Sequence, residues 1–170
     1  MIKKLILAIS LFSSVALSDG VCFSPGKCAD SLINFIAASK KSVDVAIYSL
    51  TYKPISDALI GKHRAGIPVR VIVDKVESTA SNSMVSSLVA AGVPVRYGVQ
   101  VGTGIMHDKF IISDNALLET GSFNYTYSAN TLNQENQVYL SNASIVSQFS
   151  SHFNAMWAAS STTLKKKPKK

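Results

Sequence analysis

The phrase His107-Asp108-Lys109-Phe110-Ile111-Ile112-Ser113-Asp114 has the form H-x-K-x4-D. Side chains alternate along a strand, so His107 and Lys109 are expected to project from one face. An imidazole beside an ammonium suits an anion: Lys109 neutralises a phosphate oxygen while Nε2 of His107 attacks phosphorus. The turn that follows is expected to bring Asp114 close to this pair. Gly121-Ser122-Phe123-Asn124 then falls where a second strand gives way to a loop. Gly121 permits close backbone approach, and Ser122 and Asn124 offer donors to phosphate oxygens. Glu135, in Asn133-Gln134-Glu135-Asn136, is one of only ten acids and precedes an apolar strand. A carboxylate there can hold His107 through Nδ1, fixing the tautomer that leaves Nε2 nucleophilic.

These residues need a rigid frame, and the sequence supplies one. Apolar periodicity predicts helices over 29–39, 55–65, 84–91 and 145–157, the last capped by Asn142 or Ser144. Apolar, β-branched runs predict strands over 42–50, 67–73, 93–97, 106–112, 116–120 and 137–140. Ala65-Gly66-Ile67-Pro68 and Ala91-Gly92-Val93-Pro94 repeat one connection, with Gly at the helix C-cap and Pro opening the strand. Ser113-Asp114-Asn115 reads as a hairpin turn. The fold class is α/β, an α-β-α sandwich with a mixed central sheet in one domain.

The H-x-K-x4-D phrase combined with G-S-x-N is the signature of the phospholipase D superfamily. The sequence resembles its short, single-motif branch, the bacterial Nuc-type endonucleases, from Asp30 to Trp157, including the strand end Ala46-Ile47-Tyr48-Ser49-Leu50-Thr51. The resemblance implies catalytic roles for His107, Lys109, Asp114 and Glu135, and phosphate binding by Lys109, Ser122 and Asn124. It also implies a homodimer with a shared active site, because members use two motifs and this chain has one. One His107 would attack phosphorus and the other would protonate the leaving oxygen, with no metal and no cofactor required. The expected partner is nucleic acid, single- or double-stranded.

Charge qualifies the identity of that partner. The chain has 170 residues and a net charge of +7. Residues 19–164 nevertheless hold ten basic and ten acidic side chains, so the body is neutral. The excess sits in Lys3 and Lys4 and in five lysines among residues 165–170. Residues 1–18 combine those first lysines with an apolar stretch and a small-residue end, which reads as a signal peptide cut after Ser18. The protein is therefore expected to be periplasmic or secreted, with a domain over 19–160 and a disordered basic tail over 161–170 that grips phosphates or touches a membrane surface peripherally. In an oxidising compartment Cys22 and Cys28 are expected partners.

The leading expectation is an endonuclease that cuts DNA, and RNA as a second substrate, with little sequence preference. Alternatives are a phospholipid hydrolase of phospholipase D type and a non-catalytic nucleic-acid-binding or uptake protein. The short chain favours a nuclease, as does the lack of a recognisable hydrophobic loop for entering lipid. Asp74 and Asp108 read as structural, Phe153 and Trp157 as core, and Tyr48 and Tyr52 as candidates for base stacking.

Overall fold

A computed structural model describes residues 19–160. The expected signal peptide and basic tail lie outside the described residues. Seven strands form one sheet: β1 (Gly20–Ser24), β2 (Val43–Ile47), β3 (Val69–Val73), β4 (Val95–Tyr97), β5 (Lys109–Ser113), β6 (Leu117–Gly121) and β7 (Glu135–Leu140). Their order is β1-β7-β6-β5-β2-β3-β4. The β2, β3 and β4 strands are parallel, while β5, β6, β7 and β1 continue the sheet antiparallel.

The helices α1 (Cys28–Ala38), α2 (Lys53–Arg64) and α3 (Val85–Ala90) pack on one face. Leu32, Ile36, Leu59 and Leu88 meet Val43, Val45, Val71, Val95 and Ile111 there. A short helix, α4 (Tyr127–Thr131), follows β6, and α5 (Ala143–Ala159) covers the opposite face. Val146 and Phe153 of α5 meet Ala46, Ile72, Phe110, Ile112 and Leu118. This is the expected sandwich. Strand β2 is buried along its whole length, so its one acid needs a partner. Arg70, its neighbour in the β2–β3 register, supplies one by binding Asp44 through two 2.7 Å hydrogen bonds. The guanidinium then lies 4.9 Å from the Phe153 ring, which ties this ion pair to α5.

The repeated helix–strand connections adopt the expected caps: Gly66 and Gly92 have φ of 82° and 89°, conformations that a side chain would strain. Asn142 caps α5 by accepting hydrogen bonds from the N–H groups of Ser144 and Ile145. Cys22 and Cys28 are disulfide-bonded, joining β1 to the start of α1. Periodicity does not predict two of the elements. Strand β1 is five residues long and is held as an edge by β7, with Ser24 opposite Glu135. Helix α4 is also five residues, too short for periodicity, and begins where Thr126 Oγ1 accepts from the Ala129 N–H.

Candidate active site

The sheet brings the C-terminal ends of β2, β3 and β6 to one edge, beside the N-terminal ends of β5 and β7. Register shows this directly: Ile47 lies opposite both Lys109 and Val73, and Gly121 opposite Gln137. The loops at this edge carry most of the expected site residues.

His107 lies just outside β5, which begins at Lys109 rather than Met106. Its backbone is clamped on both sides. The Met106 N–H donates to Asp74 Oδ2 at 3.2 Å, and the Asp108 carbonyl accepts from the Tyr48 N–H at 3.0 Å. The imidazole is exposed, its ring centre 4.6 Å from that of Tyr48. Lys109 is buried and turns back toward it: Nζ is 3.3 Å from both ring nitrogens and donates to the His107 carbonyl at 2.8 Å. Burial pushes the Lys109 ammonium below the ordinary lysine value, while Glu135 and Asp108 oppose that shift. The Tyr48 hydroxyl is pushed upward by burial and then by Glu77 and Asp74, so it remains protonated and able to donate. The expected pairing of His107 with Lys109 is thus present, although an irregular approach rather than a strand places the histidine.

Glu135 and Ser122 differ from expectation. Glu135 Oε2 accepts from Ser122 Oγ at 2.5 Å and Oε1 from Asn133 Nδ2 at 3.0 Å, so within one chain the carboxylate does not hold His107. The cause is strand order: β6 separates β7 from β5, and the first residue of β7 lies beside the loop that leaves β6. Ser122 Oγ also accepts from the Asn136 N–H at 3.1 Å, so this hydroxyl fixes Glu135 instead of standing free for a phosphate. Gly121 makes the approach feasible, because a Cβ there would collide with the Asn136 carbonyl oxygen. Asn124 follows Ser122 in the loop that leaves β6 and is half-buried. Its Oδ1 is buried without a hydrogen-bond partner.

Asp114 is a correction. It sits in the β5–β6 turn at the far end of β5, with φ of 59°, followed by Asn115 at 52°. Its carboxylate accepts from the N–H groups of Lys40, Lys41 and Ser42 at 2.6–3.0 Å. Burial works to raise its pKa, but those donors outweigh burial and hold the carboxyl below its ordinary value. The residue anchors the α1–β2 loop and takes no part in the constellation around His107. A five-residue strand separates the two, which the spacing H-x-K-x4-D itself implies once β5 is seen to run straight.

Asp74, read from sequence as structural, proves to support the site. Fully buried at the end of β3, it accepts from the N–H groups of Val76, Glu77 and Met106 and from Gln100 Nε2, at 2.8–3.2 Å. The signal available in the sequence was an acid closing an apolar strand. A further correction concerns residues 98–105. Val99, Val101 and Ile105 are 58%, 88% and 52% exposed, so an apolar loop does stand beside His107.

The same architecture occurs in solved structures. Nuc from Salmonella typhimurium, described as a phospholipase D family member, superposes with a TM-score of 0.80 at 31% identity, covering 87% of this chain and 98% of that one. NucT from Helicobacter pylori gives 0.77 at 25% identity, covering 84% and 97%. Among curated proteins, a mitochondrial cardiolipin hydrolase from Chlamydomonas reinhardtii is 31% identical over 125 residues, 74% of this chain and 55% of that protein. The chain spans roughly half to two thirds of the curated relatives it matches. Residues 32–157 match the family described as cardiolipin synthase, PLD-like domain, and with the Nuc-type fold around His107 and Lys109 the chain belongs to the phospholipase D superfamily.

Proposed function

We propose that this chain is an exported, homodimeric, metal-independent phosphodiesterase that hydrolyses DNA, and RNA as a second substrate, through a phosphohistidine. The observation that carries the reading is the exposed His107 imidazole with the buried Lys109 ammonium 3.3 Å from its ring nitrogens. In the first step a ring nitrogen of His107 bonds to phosphorus as the P–O bond to the leaving group breaks. That oxygen takes a proton from His107 of the partner subunit. Water then attacks phosphorus, the P–N bond breaks, and the water proton returns to the partner's His107. Lys109 and the Asn124 side chain stabilise the charge that develops on the non-bridging oxygens.

The dimer is supported by incompleteness. One chain carries one H-x-K-x4-D motif, and within that chain Glu135 does not meet His107. Nuc and NucT, named as similar structures above, support nucleic acid as the substrate. A second reading, hydrolysis of a phospholipid, gains support from the apolar loop beside His107 and from relatives named cardiolipin hydrolase. The test is cleavage of single-stranded DNA, duplex DNA, RNA, and vesicles of phosphatidylcholine or cardiolipin, with and without chelator. Cleavage of DNA that survives chelator and is abolished in His107→Ala is expected. Loss on chelation would refute the phosphohistidine route, and turnover of vesicles alone would move the assignment to the second reading. An active species that sediments strictly as a monomer would refute the shared site.

A further inference from the structure

We infer that Tyr125 is a positioning residue of the active site: its hydroxyl, held in the core by Glu119, sets the seat from which its backbone locks the loop carrying Asn124 to the loop carrying Tyr48. Three backbone hydrogen bonds make that lock. The Tyr125 N–H donates to the Ser49 carbonyl at 3.0 Å, and its own carbonyl accepts from the N–H groups of Thr51 and Tyr52 at 3.0 and 2.9 Å. Leu50 and Tyr125 thereby form a parallel bridge between the segments that leave β2 and β6. One residue before Ser49, the Tyr48 N–H holds the Asp108 carbonyl, and the Tyr48 ring lies 4.6 Å from the His107 imidazole. On the β6 side, Asn124 immediately precedes Tyr125. One residue therefore joins the backbone that places His107 to the backbone that places Asn124.

Packing says why a tyrosine stands there. Phe123 and Tyr125 are both buried in the core shared with α1 and α2, and Asn124 between them is half-buried. An apolar ring such as Phe123 fills its pocket without a directional contact, which leaves a loop free to shift by fractions of an ångström. The Tyr125 hydroxyl adds direction: it donates to Glu119 Oε2 at 3.1 Å, with both residues fully buried. Glu119 is fixed in turn by its place in β6, opposite Ile111 of β5 and Tyr139 of β7. Among the described residues no cation pairs with that carboxyl. Burying it costs stability that two apolar side chains in its place would not. A polar pair kept in the core directly beneath the loop that bears Asn124 is explained by the geometry it imposes on that loop.

The inference rests on phosphodiester cleavage at His107 and not on which phosphodiester is cut. Bis(para-nitrophenyl) phosphate therefore serves as the probe, alongside hydrogen exchange, which needs no activity. Tyr125→Phe should lower kcat by about tenfold with KM within about twofold of the parent, because misplacement acts on the transition state more than on binding. The amides of Thr51, Tyr52 and Tyr125 should exchange faster in this variant. Glu119→Met combined with Tyr125→Phe replaces both members by apolar groups and should regain unfolding stability without regaining kcat. Glu119→Gln, which keeps an acceptor for the hydroxyl, should retain more of kcat than Glu119→Met alone. Recovery of kcat together with stability in the double variant would reduce Tyr125 to packing and overturn the inference, as would unchanged kcat in Tyr125→Phe. A parent that cleaves neither this probe nor any substrate named above would refute the phosphodiesterase reading, and exchange would still decide the lock: faster exchange in Tyr125→Phe supports it, and parent rates overturn it.

Discussion

Lys109 and Asp114 sit at opposite ends of β5, five residues and roughly 16 Å apart at strand rise. The basic and acidic members of one sequence motif therefore do different work. Lys109 faces the imidazole that would attack phosphorus, while Asp114 closes the α1–β2 loop from the far side of the sheet. Because β5 is buried on both faces, fixing its far end also fixes the register that presents Lys109.

Asp114→Asn should cost stability and spare chemistry. The amide keeps Oδ1 as an acceptor but loses the Oδ2 bond from Lys40 and the charge that strengthens the others, a loss of about 1–2 kcal/mol. Asp114→Gly, which removes every bond while tolerating the positive φ, should cost more. Denaturant unfolding reads the first effect, and kcat of the folded fraction should stay within about twofold. Because the folded pKa lies below the usual carboxyl value, this stabilisation is present above the unfolded pKa and fades as pH falls through the folded one. A collapse of kcat with unchanged stability would return Asp114 to the chemistry.

Gly121→Ala tests the contact between β6 and β7. The added methyl meets the Asn136 backbone carbonyl, which cannot rotate away, so the strands must separate at the point where Ser122 holds Glu135. A loss of about 1–3 kcal/mol in unfolding free energy is expected, with reduced turnover. A variant as stable and active as the parent would show that this close approach is dispensable.

Much of this was legible from residue types. Helices α1, α2 and α5 and strands β2, β3 and β5 carry strong periodicity or continuous apolar runs, and Gly66 and Gly92 announce their caps. His107, Lys109 and Asn124 could be named because their chemistry is unusual and their spacing regular. What sequence could not carry was distance across the sheet. Glu135 is 28 residues from His107, and nothing local says that β6 intervenes or that Ser122 claims its carboxylate first. Asp74 is the same case: its partner Met106 lies 32 residues away. The apolar loop carries no sequence signal, because isolated Val and Ile between glycines resemble any connecting segment and differ only in their exposure.

Asp74→Asn should expose the positioning of His107. The amide nitrogen replaces an acceptor, so the Met106 N–H and Gln100 lose their partner while the fold, anchored by β3, persists. Misplacing the attacking ring by about 1 Å costs on the order of a hundredfold, so kcat should fall by about ten- to a hundredfold with KM nearly unchanged. Hydrogen exchange at the Met106 amide should accelerate in parallel. Equal kcat in parent and variant would show that the Met106 anchor has no bearing on the reaction.

Glu119 gives a pH dependence that no site residue explains. It is fully buried on β6, between Ile111 and Tyr139 in register, with the Tyr125 hydroxyl donating to Oε2 at 3.1 Å. Burial pushes its carboxyl up to about 8, with the Tyr125 bond opposing, so the folded protein holds a neutral acid at neutral pH. Unfolding releases that proton above the ordinary carboxyl range. The folded pKa is the higher one, so stability is greatest near and below the unfolded value and falls as pH rises toward 8, by on the order of 4 kcal/mol across the window. Glu119→Gln keeps an acceptor for Tyr125 without a titrating group. The variant should therefore show a flatter stability profile between about pH 5 and 8 and exceed the parent at the alkaline end. Urea midpoints across that range decide the matter: parallel profiles would mean that the Glu119 carboxyl is ionised in the folded protein and that the tyrosines around it compensate.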